Sequence, residues 1–501
     1  MFVRKEVKLY KNMGKDFIVA IELGSSKVTG IAGQKNLDGS ISVLAVVKED
    51  SSSFIRKGVV YNIDKTAQCL QNIIKKLETQ LKNRITKVYV GIGGQSIRSI
   101  RNVVAKDMPD ATIVTDAMID ELVDTNRCMD YPDQEIIDIA VQEYKVDSQY
   151  QQEPVGILCT RLEGNYLNML QRKAFHKNFL KCFEVAGIPI AEMLNAPLAL
   201  ADVVLTEAER RSGCALIDIG SDTTTVSVYS KNILRHLAVV PLGGANITKD
   251  IATLQMEETD AEKMKLKYAS AYTDNSEIDN TLKYPIDAGR QVDSRRFIEI
   301  VEGRLEEIVE NAWYQVPSEY CDKLLGGIVL TGGGANMKNI ERAFQNHTRI
   351  EKIRVAKSTV PTITGCNEEM KSKAGMMNTV LGLLVKGDVN CAGAAYDPTK
   401  GDLFETANAA TAATEPADQH ATPTRKPGDV PPGVIRTEAD KQAEEEARKK
   451  KQEEEDRIAK ENAKKEAEEA DRIKRENNIW NKFKKGATKI ANIMFTSDED
   501  K

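Results

Sequence analysis

Ala20-Ile21-Glu22-Leu23-Gly24-Ser25-Ser26-Lys27-Val28 runs as an apolar strand into an acid, a glycine, two hydroxyls and a lysine. Such a turn aims backbone N–H groups and serine hydroxyls at phosphate oxygens, and Lys27 adds positive charge. Alone it is equally an ordinary structural turn, because glycine and serine are common turn residues. The form returns at Leu216-Ile217-Asp218-Ile219-Gly220-Ser221-Asp222-Thr223-Thr224: strand, acid, glycine, small polar residues. Two copies of one strand–turn suggest two similar halves that face each other and grip one nucleotide between them. Glu22 and Asp218 hold matching places. A bare carboxylate repels phosphate, so their expected role is to hold Mg2+, through water. A third stretch, Gly327-Ile328-Val329-Leu330-Thr331-Gly332-Gly333-Gly334-Ala335-Asn336, ends a strand in three glycines ahead of a helix start. Glycines there let the backbone approach a ligand closely.

Outward from these loops, residues 16 to about 387 alternate β-rich apolar runs with helical periodicity, which predicts an α/β class. The chain has 501 residues, 41% hydrophobic, with 70 basic and 75 acidic side chains for a net charge of −5. That balance argues against general nucleic-acid binding, which needs a basic field. The eight cysteines include no C-x-x-C pair, so neither zinc nor a dithiol is suggested, and they read as reduced and cytosolic. The N-terminus has no signal-peptide apolar stretch, and no run of about 18 apolar residues would span a bilayer.

Together the three loops resemble the two phosphate motifs and the adenosine motif of the actin, sugar-kinase and heat-shock chaperone superfamily. Within it the match is to the bacterial cell-division FtsA family. Val141-Gln142-Glu143-Tyr144, Leu194-Asn195-Ala196-Pro197-Leu198-Ala199, Leu242-Gly243-Gly244 and Asp260-Ala261-Glu262 with Lys265 stand where that family has similar stretches. The resemblance covers about residues 16–387 and the extreme C-terminus. It implies an actin-like two-half fold of mixed sheets flanked by helices, binding ATP with Mg2+. Gly24, Ser25, Ser26 and Lys27 would line the first phosphate loop, and Gly220, Ser221, Asp222 and Thr223 the second. Gly243 and Gly244 would lie near the phosphates. Glu262 and Lys265 would face the ribose and adenine, although such a pair is as readily an ordinary surface pair on a charged helix. Gly332, Gly333, Gly334 and Asn336 would pack on the adenosine.

The implied subdomains are 16–96 with 179–212, a relocated subdomain at 97–178 that joins neighbours into a filament, 213–253 with 326–387, and 254–325. The last would receive the acidic C-terminal peptide of the tubulin-like FtsZ through Arg295, Arg296 and Arg304, since arginine pairs well with carboxylates. A solvated charged helix is at least as good a reading for any one of them. The family also implies recruitment of downstream division proteins at the septum, on the cytoplasmic face of the inner membrane.

Two departures bear on chemistry. The superfamily usually has Asp where Glu22 stands, and the second loop reads Gly-Ser-Asp-Thr in place of the common Gly-Gly-Gly-Thr, so Asp222 adds an acid beside the phosphates. Hydrolysing relatives place an acid before the Pro-x-Ala stretch, whereas here the stretch is Asn195-Ala196-Pro197. Slow or negligible hydrolysis is expected, with ATP a conformational and assembly ligand.

Residues 1–15 read as a flexible N-terminus. Residues 388–437, with Pro427-Gly428-Asp429-Val430-Pro431-Pro432-Gly433, read as a disordered linker. Residues 438–477 are densely charged, with i,i+4 pairs such as Glu444–Arg448 and Glu453–Arg457 but no apolar seam, which suits a solvated helical spacer. Residues 478–495 place Ile479, Trp480, Phe483, Ile490 and Met494 on one helical face, with Lys482 and Lys485 largely away from it. An apolar face with Trp and Phe against a lysine-rich face describes a helix lying in anionic lipid headgroups; residues 496–501 form an acidic tail. Competing readings are a soluble actin-fold small-molecule kinase, which leaves that helix unexplained, and another bacterial actin such as MreB or a pilus-assembly ATPase relative.

Overall fold

The computed structural model describes residues 16–287, 289–356, 362–364 and 375–395. In chain order it begins with β1 (Ile18–Leu23), β2 (Lys27–Lys35), β3 (Ile41–Asp50), the short hairpin β4 (Ile55–Arg56) and β5 (Val59–Val60), α1 (Ile63–Leu81), β6 (Asn83–Ile85) and β7 (Val88–Ile92). Then come β8 (Arg98–Ile113), α2 (Asp116–Arg127), β9 (Gln134–Val146), β10 (Gln149–Gln151), β11 (Leu158–Arg172), α3 (Lys173–Ala186), β12 (Ile190–Asn195), α4 (Ala196–Val204) and α5 (Glu207–Ser212). The chain continues through β13 (Cys214–Ile219), β14 (Thr224–Ser230), β15 (Ile233–Val240), α6 (Gly244–Ala252), α7 (Glu258–Tyr268), β16 (Lys283–Pro285), β17 (Gln291–Asp293), α8 (Ser294–Tyr314) and α9 (Ser318–Cys321). It closes with β18 (Gly327–Thr331), α10 (Ile340–Thr348), β19 (Ile353–Val355), β20 (Ile363–Thr364), α11 (Asn378–Lys386) and β21 (Ala392–Ala395).

The duplication read from the loops extends to whole sheets. One sheet has the order β12-β7-β1-β2-β3-β20, and the other contains β19-β18-β13-β14-β15. In each, an antiparallel hairpin (β1–β2, β13–β14) leads to a third antiparallel strand, and the hairpin's first strand pairs in parallel with a later one, β7 or β18. Two equivalent acids result, with Glu22 opposite Thr29 and Asp218 opposite Thr225. Helices cover both sheets. Helix α1 starts at Asn62, whose side chain accepts the Lys65 N–H at 2.9 Å, a favourable N-cap. It buries Leu70, Ile73 and Leu77 completely, each such side chain contributing about 1.5–3 kcal/mol. Helix α8 buries Phe297, Val301, Leu305 and Ile308 in the second half's core at the same kind of spacing.

The segment from β8 to β11 does not stand apart. Its strands continue the second sheet in the order β10-β9-β11-β8-β15. The Leu237 N–H donates to Ser99 Oγ at 2.8 Å, and Arg235 donates to Gln142 Oε1 and Glu143 Oε1 at 3.2 and 3.1 Å. The segment keeps a small core of its own, with Leu122, Leu162 and Tyr166 fully covered.

Three expected boundaries shift. The break at 178/179 falls inside the continuous helix α3, because nothing in Lys173–Ala186 interrupts helical hydrogen bonding before Gly187, a left-handed cap at φ +69°. Helix α11, grouped by sequence with the second half, packs on α4 and β1 of the first. Val380, Leu383 and Leu384 join that core, and a Cβ on Gly382 would stand 2.2 Å from the Ala199 carbonyl oxygen. The start of the linker at 388 is also too early. The Tyr89 hydroxyl donates to Asp388 and accepts the Val389 N–H, Cys391 N–H donates to Phe17 O at 2.8 Å, and β21 pairs with β6. Ala392-Gly393-Ala394-Ala395 has little apolar bulk to advertise a strand; backbone pairing places it. Residues 1–15 and 396–437, the charged spacer, the terminal helix with its candidate lipid-facing residues, and the acidic tail lie outside the described residues. Among the described residues no helix is long and apolar enough to cross a membrane.

Candidate nucleotide cleft

Both phosphate-loop candidates are tight strand connections of one design. Gly24 N–H donates to Lys27 O at 3.1 Å, and Gly220 N–H donates to Thr223 O at 2.8 Å. The first turn is anchored from beneath by Ser51, whose hydroxyl donates to Gly24 O at 2.6 Å. The second supports helix α6: Gly244 N–H donates to Gly220 O at 2.9 Å and Ala245 N–H to Ser221 O at 2.8 Å. A Cβ on Gly243 would meet Ser221 O at 2.5 Å, so only glycine allows this seating. Lys265 Nζ donates to Gly244 O at 3.0 Å and Thr248 Oγ1 at 2.8 Å, and pairs with Glu262 at 2.7 Å. Glu262 in turn accepts from Thr248. The α7 pair is therefore locked to the start of α6 and is not a loose surface pair.

Glu22 and Asp218 stand near the ends of β1 and β13, just before these turns. Enclosure by protein pushes the Glu22 carboxyl up to about 7, and the Asp218 charge adds to it; Lys27 and hydrogen bonds from the Thr379 hydroxyl and Val380 N–H only partly offset this. The same enclosure raises Asp218 to about 6. Thr379 and Val380 lie in the first turn of α11, so Glu22 stands near the positive end of that helix. Gly332, at φ +87°, packs against Asp218: a Cβ there would stand 2.3 Å from Asp218 Oδ1. A Cβ on Gly334 would strike the Ile219 side chain at 2.3 Å, whereas Gly333 is exposed with room for one. Asn336 is exposed, its amide 3.4 Å from the Gly332 and Gly333 carbonyls.

The residues present suit Mg2+ and a phosphate chain. Two partly buried carboxyls close enough for one charge to raise the other's titration form a hard-oxygen donor set, and a divalent cation would favour the charged form that burial opposes. Ser25, Ser26, Lys27 and Thr223 supply hydroxyls and a cation on the turns. Asn195 Nδ2 reaches Met169 Sδ at 3.0 Å, and its side chain lines a hollow with Asp138, Leu198 and Leu234 to which no phosphate-loop residue contributes.

Lys57 and Gly58 were missed by sequence reading. The Lys57 N–H donates to Asp222 Oδ2 at 3.1 Å and the Gly58 N–H to Ser25 Oγ at 2.8 Å, so the tip of the β4–β5 hairpin touches both loops. A Lys-Gly pair between Ile55-Arg56 and Val59-Val60 is a short hairpin signal, though its distant partners leave no trace in sequence. Of the three candidate peptide-binding arginines, Arg295 and Arg296 are exposed, Arg295 donating to Asn280 Oδ1 at 2.9 Å. Arg304 is otherwise committed: it pairs with Asp250 at 2.6 Å and with Glu307, tying α8 to α6. Its planar fork matches a carboxylate already supplied by the fold.

Comparison with known proteins agrees with this architecture. The family description "Cell division protein FtsA" matches residues 215–379, and "SHS2 domain inserted in FTSA" matches residues 94–169. The chain is 31% identical over 332 residues to the cell division protein FtsA of Porphyromonas gingivalis, covering 65% of this chain and 69% of the relative. It is 32% identical over 381 residues to that of Neisseria meningitidis serogroup B, covering 74% and 89%. A solved PilM-PilN type IV pilus biogenesis complex superposes with a TM-score of 0.51 at 14% identity, covering 74% of this chain and 97% of the other, a likeness of fold alone. With an actin-like fold and these relatives, the chain belongs to the FtsA family of cell-division proteins.

Proposed function

We propose that this chain binds ATP with Mg2+ between its two halves, polymerises, and tethers FtsZ filaments to the cytoplasmic face of the inner membrane at the division septum, where it recruits later division proteins. The observation that carries the nucleotide reading is the pair of matching turns with Glu22 and Asp218 at equivalent places in two equivalent sheets. Glu22 and Asp218 would hold the metal, the Gly24 and Gly220 turns the phosphates, and Gly332–Gly334 with the α7 pair the nucleoside. The only chemistry ATP supplies is a cleavable terminal phosphate. Turnover is slow, below about 1 s⁻¹, because the candidate water-orienting position is Asn195, an amide where hydrolysing relatives carry an acid. The FtsZ peptide would meet Arg295 and Arg296. The membrane reading rests on the amphipathic pattern of residues 478–495, whose Trp480 and Phe483 would enter the headgroup boundary.

Three measurements test it on the full chain. Fluorescent ATP should bind with Mg2+ and lose affinity in chelator. Anionic vesicles should co-sediment the wild type and release Trp480→Asp; equal recovery refutes the lipid role. A labelled FtsZ C-terminal peptide should bind more weakly to Arg295→Glu/Arg296→Glu, and unchanged binding removes that surface.

A further inference from the structure

The tip of the β4–β5 hairpin is built to hold an anion. Lys57 and Gly58 are its two central residues, between the pairs Ile55–Val60 and Arg56–Val59. Both have positive φ, +52° and +71°, as a two-residue type I′ connection requires. Their adjacent N–H groups point out of the hairpin, and successive turn N–H groups form a concavity that attracts negative charge. The tip cannot slide: a Cβ on Gly58 would stand 2.6 Å from Gly94 Cα, and Gln95 N–H donates to Lys57 O at 3.0 Å.

Each N–H is taken by one phosphate loop. Gly58 holds the Ser25 hydroxyl of the first, and Lys57 holds the Asp222 carboxylate of the second, across a sequence separation of 165 residues. Asp222 is partly exposed, with Ser221 Oγ 3.3 Å from its other oxygen. A carboxylate thus sits on an anion-seeking N–H at the junction of the two loops that would flank a phosphate chain.

We infer that Asp222 is a specificity-determining residue for phosphate-chain length: its carboxylate holds the Lys57 N–H in the place of an anion, and the terminal phosphate of a nucleoside triphosphate displaces it. This rests on the nucleotide reading above. A diphosphate leaves the contact in place. A triphosphate must evict a like charge, so the wild-type chain discriminates against ATP relative to ADP, and the cross-cleft contact is present only when the terminal phosphate is absent.

The test compares Asp222→Asn, which keeps the acceptor and removes the charge, and Asp222→Gly, which removes both, against wild type. Fluorescent ATP and ADP are titrated with Mg2+, and amide hydrogen exchange is followed over residues 54–61. Both variants should gain about tenfold or more in ATP affinity, since removing a like charge a few ångströms away is worth at least that in a partly screened cleft, with ADP affinity within about twofold. Without nucleotide, exchange at Lys57 should be faster in Asp222→Gly than in wild type. An ATP:ADP affinity ratio unchanged between wild type and variants, with both nucleotides bound, overturns the sensor alone; so does equal exchange at Lys57 in all three proteins. Binding of neither nucleotide by any of the three overturns the nucleotide reading and the sensor with it.

Discussion

Replacing Glu22 with glutamine should stabilise the metal-free protein, and more so as pH rises. Glutamine keeps the shape and an acceptor oxygen for the Thr379 hydroxyl and Val380 N–H while removing the charge that enclosure and Asp218 oppose. A carboxyl raised from the usual 4.5 to about 7 binds its proton more tightly folded than unfolded. Below 4.5 both states are protonated and the group costs nothing; above about 7 both are ionised and the full cost applies. That full cost is about 3 kcal/mol. The variant's advantage should therefore grow from roughly 1 kcal/mol near pH 5 to roughly 3 kcal/mol near pH 8. Because Asp218's charge is one cause of the shift, Asp218→Asn captures part of the same energy, and the double variant should gain less than the sum.

The assay is urea unfolding in chelator at several pH values, wild type and variant side by side, so that every other titrating group cancels. A gap that stays constant with pH, or that narrows as pH rises, would refute the enclosed-carboxylate reasoning. Adding ATP and Mg2+ should reverse the order, because the wild type gains a bound cation that the variant holds poorly.

Gly332→Ala should destabilise by roughly 2–4 kcal/mol, since its Cβ meets Asp218 Oδ1 at 2.3 Å at a backbone angle that disfavours alanine, while Gly333→Ala, with its nearest contact 3.9 Å away at Met376, should leave the thermal midpoint nearly unchanged; differential scanning calorimetry reads both. Glu209 is held down at about 2: burial opposes this, but the paired Arg354 guanidinium and the Thr206 cap outweigh it. Glu209→Gln should therefore cost about 2–3 kcal/mol at neutral pH, and because a depressed carboxyl contributes only where it is ionised, the penalty should shrink as pH falls from 4.5 toward 2, as denaturant midpoints would report.

Much of the fold was legible because it is repeated. An acid–glycine turn after an apolar strand is a local pattern, and its second copy at Asp218-Ile219-Gly220 made the two-half arrangement readable without any contact being known. The triple glycine was equally legible, and the structure supplies the reason for two of its members: Gly332 and Gly334 are pressed against Asp218 and Ile219, whereas Gly333 is free to face the cleft. Less legible were the ends of segments. Helix α11 carries no mark of which half it serves, because Leu383 and Gly382 look alike whether they meet α4 or α10. Arg304 looked like a free cation because Asp250 is 54 residues away.

What the sequence by itself determined is what depends on near neighbours: strand, turn and helix, the paired phosphate-type turns, the family to which they point, and an amphipathic face in residues 478–495. Only the tertiary structure decided which groups share a space: Glu22 with Asp218, Glu22 with the start of α11, and the Lys57–Gly58 tip with both turns. The reason is physical. Backbone propensity and periodicity act over a few residues, whereas a carboxyl's titration and an N–H group's partner depend on whatever the fold brings within about 3–6 Å.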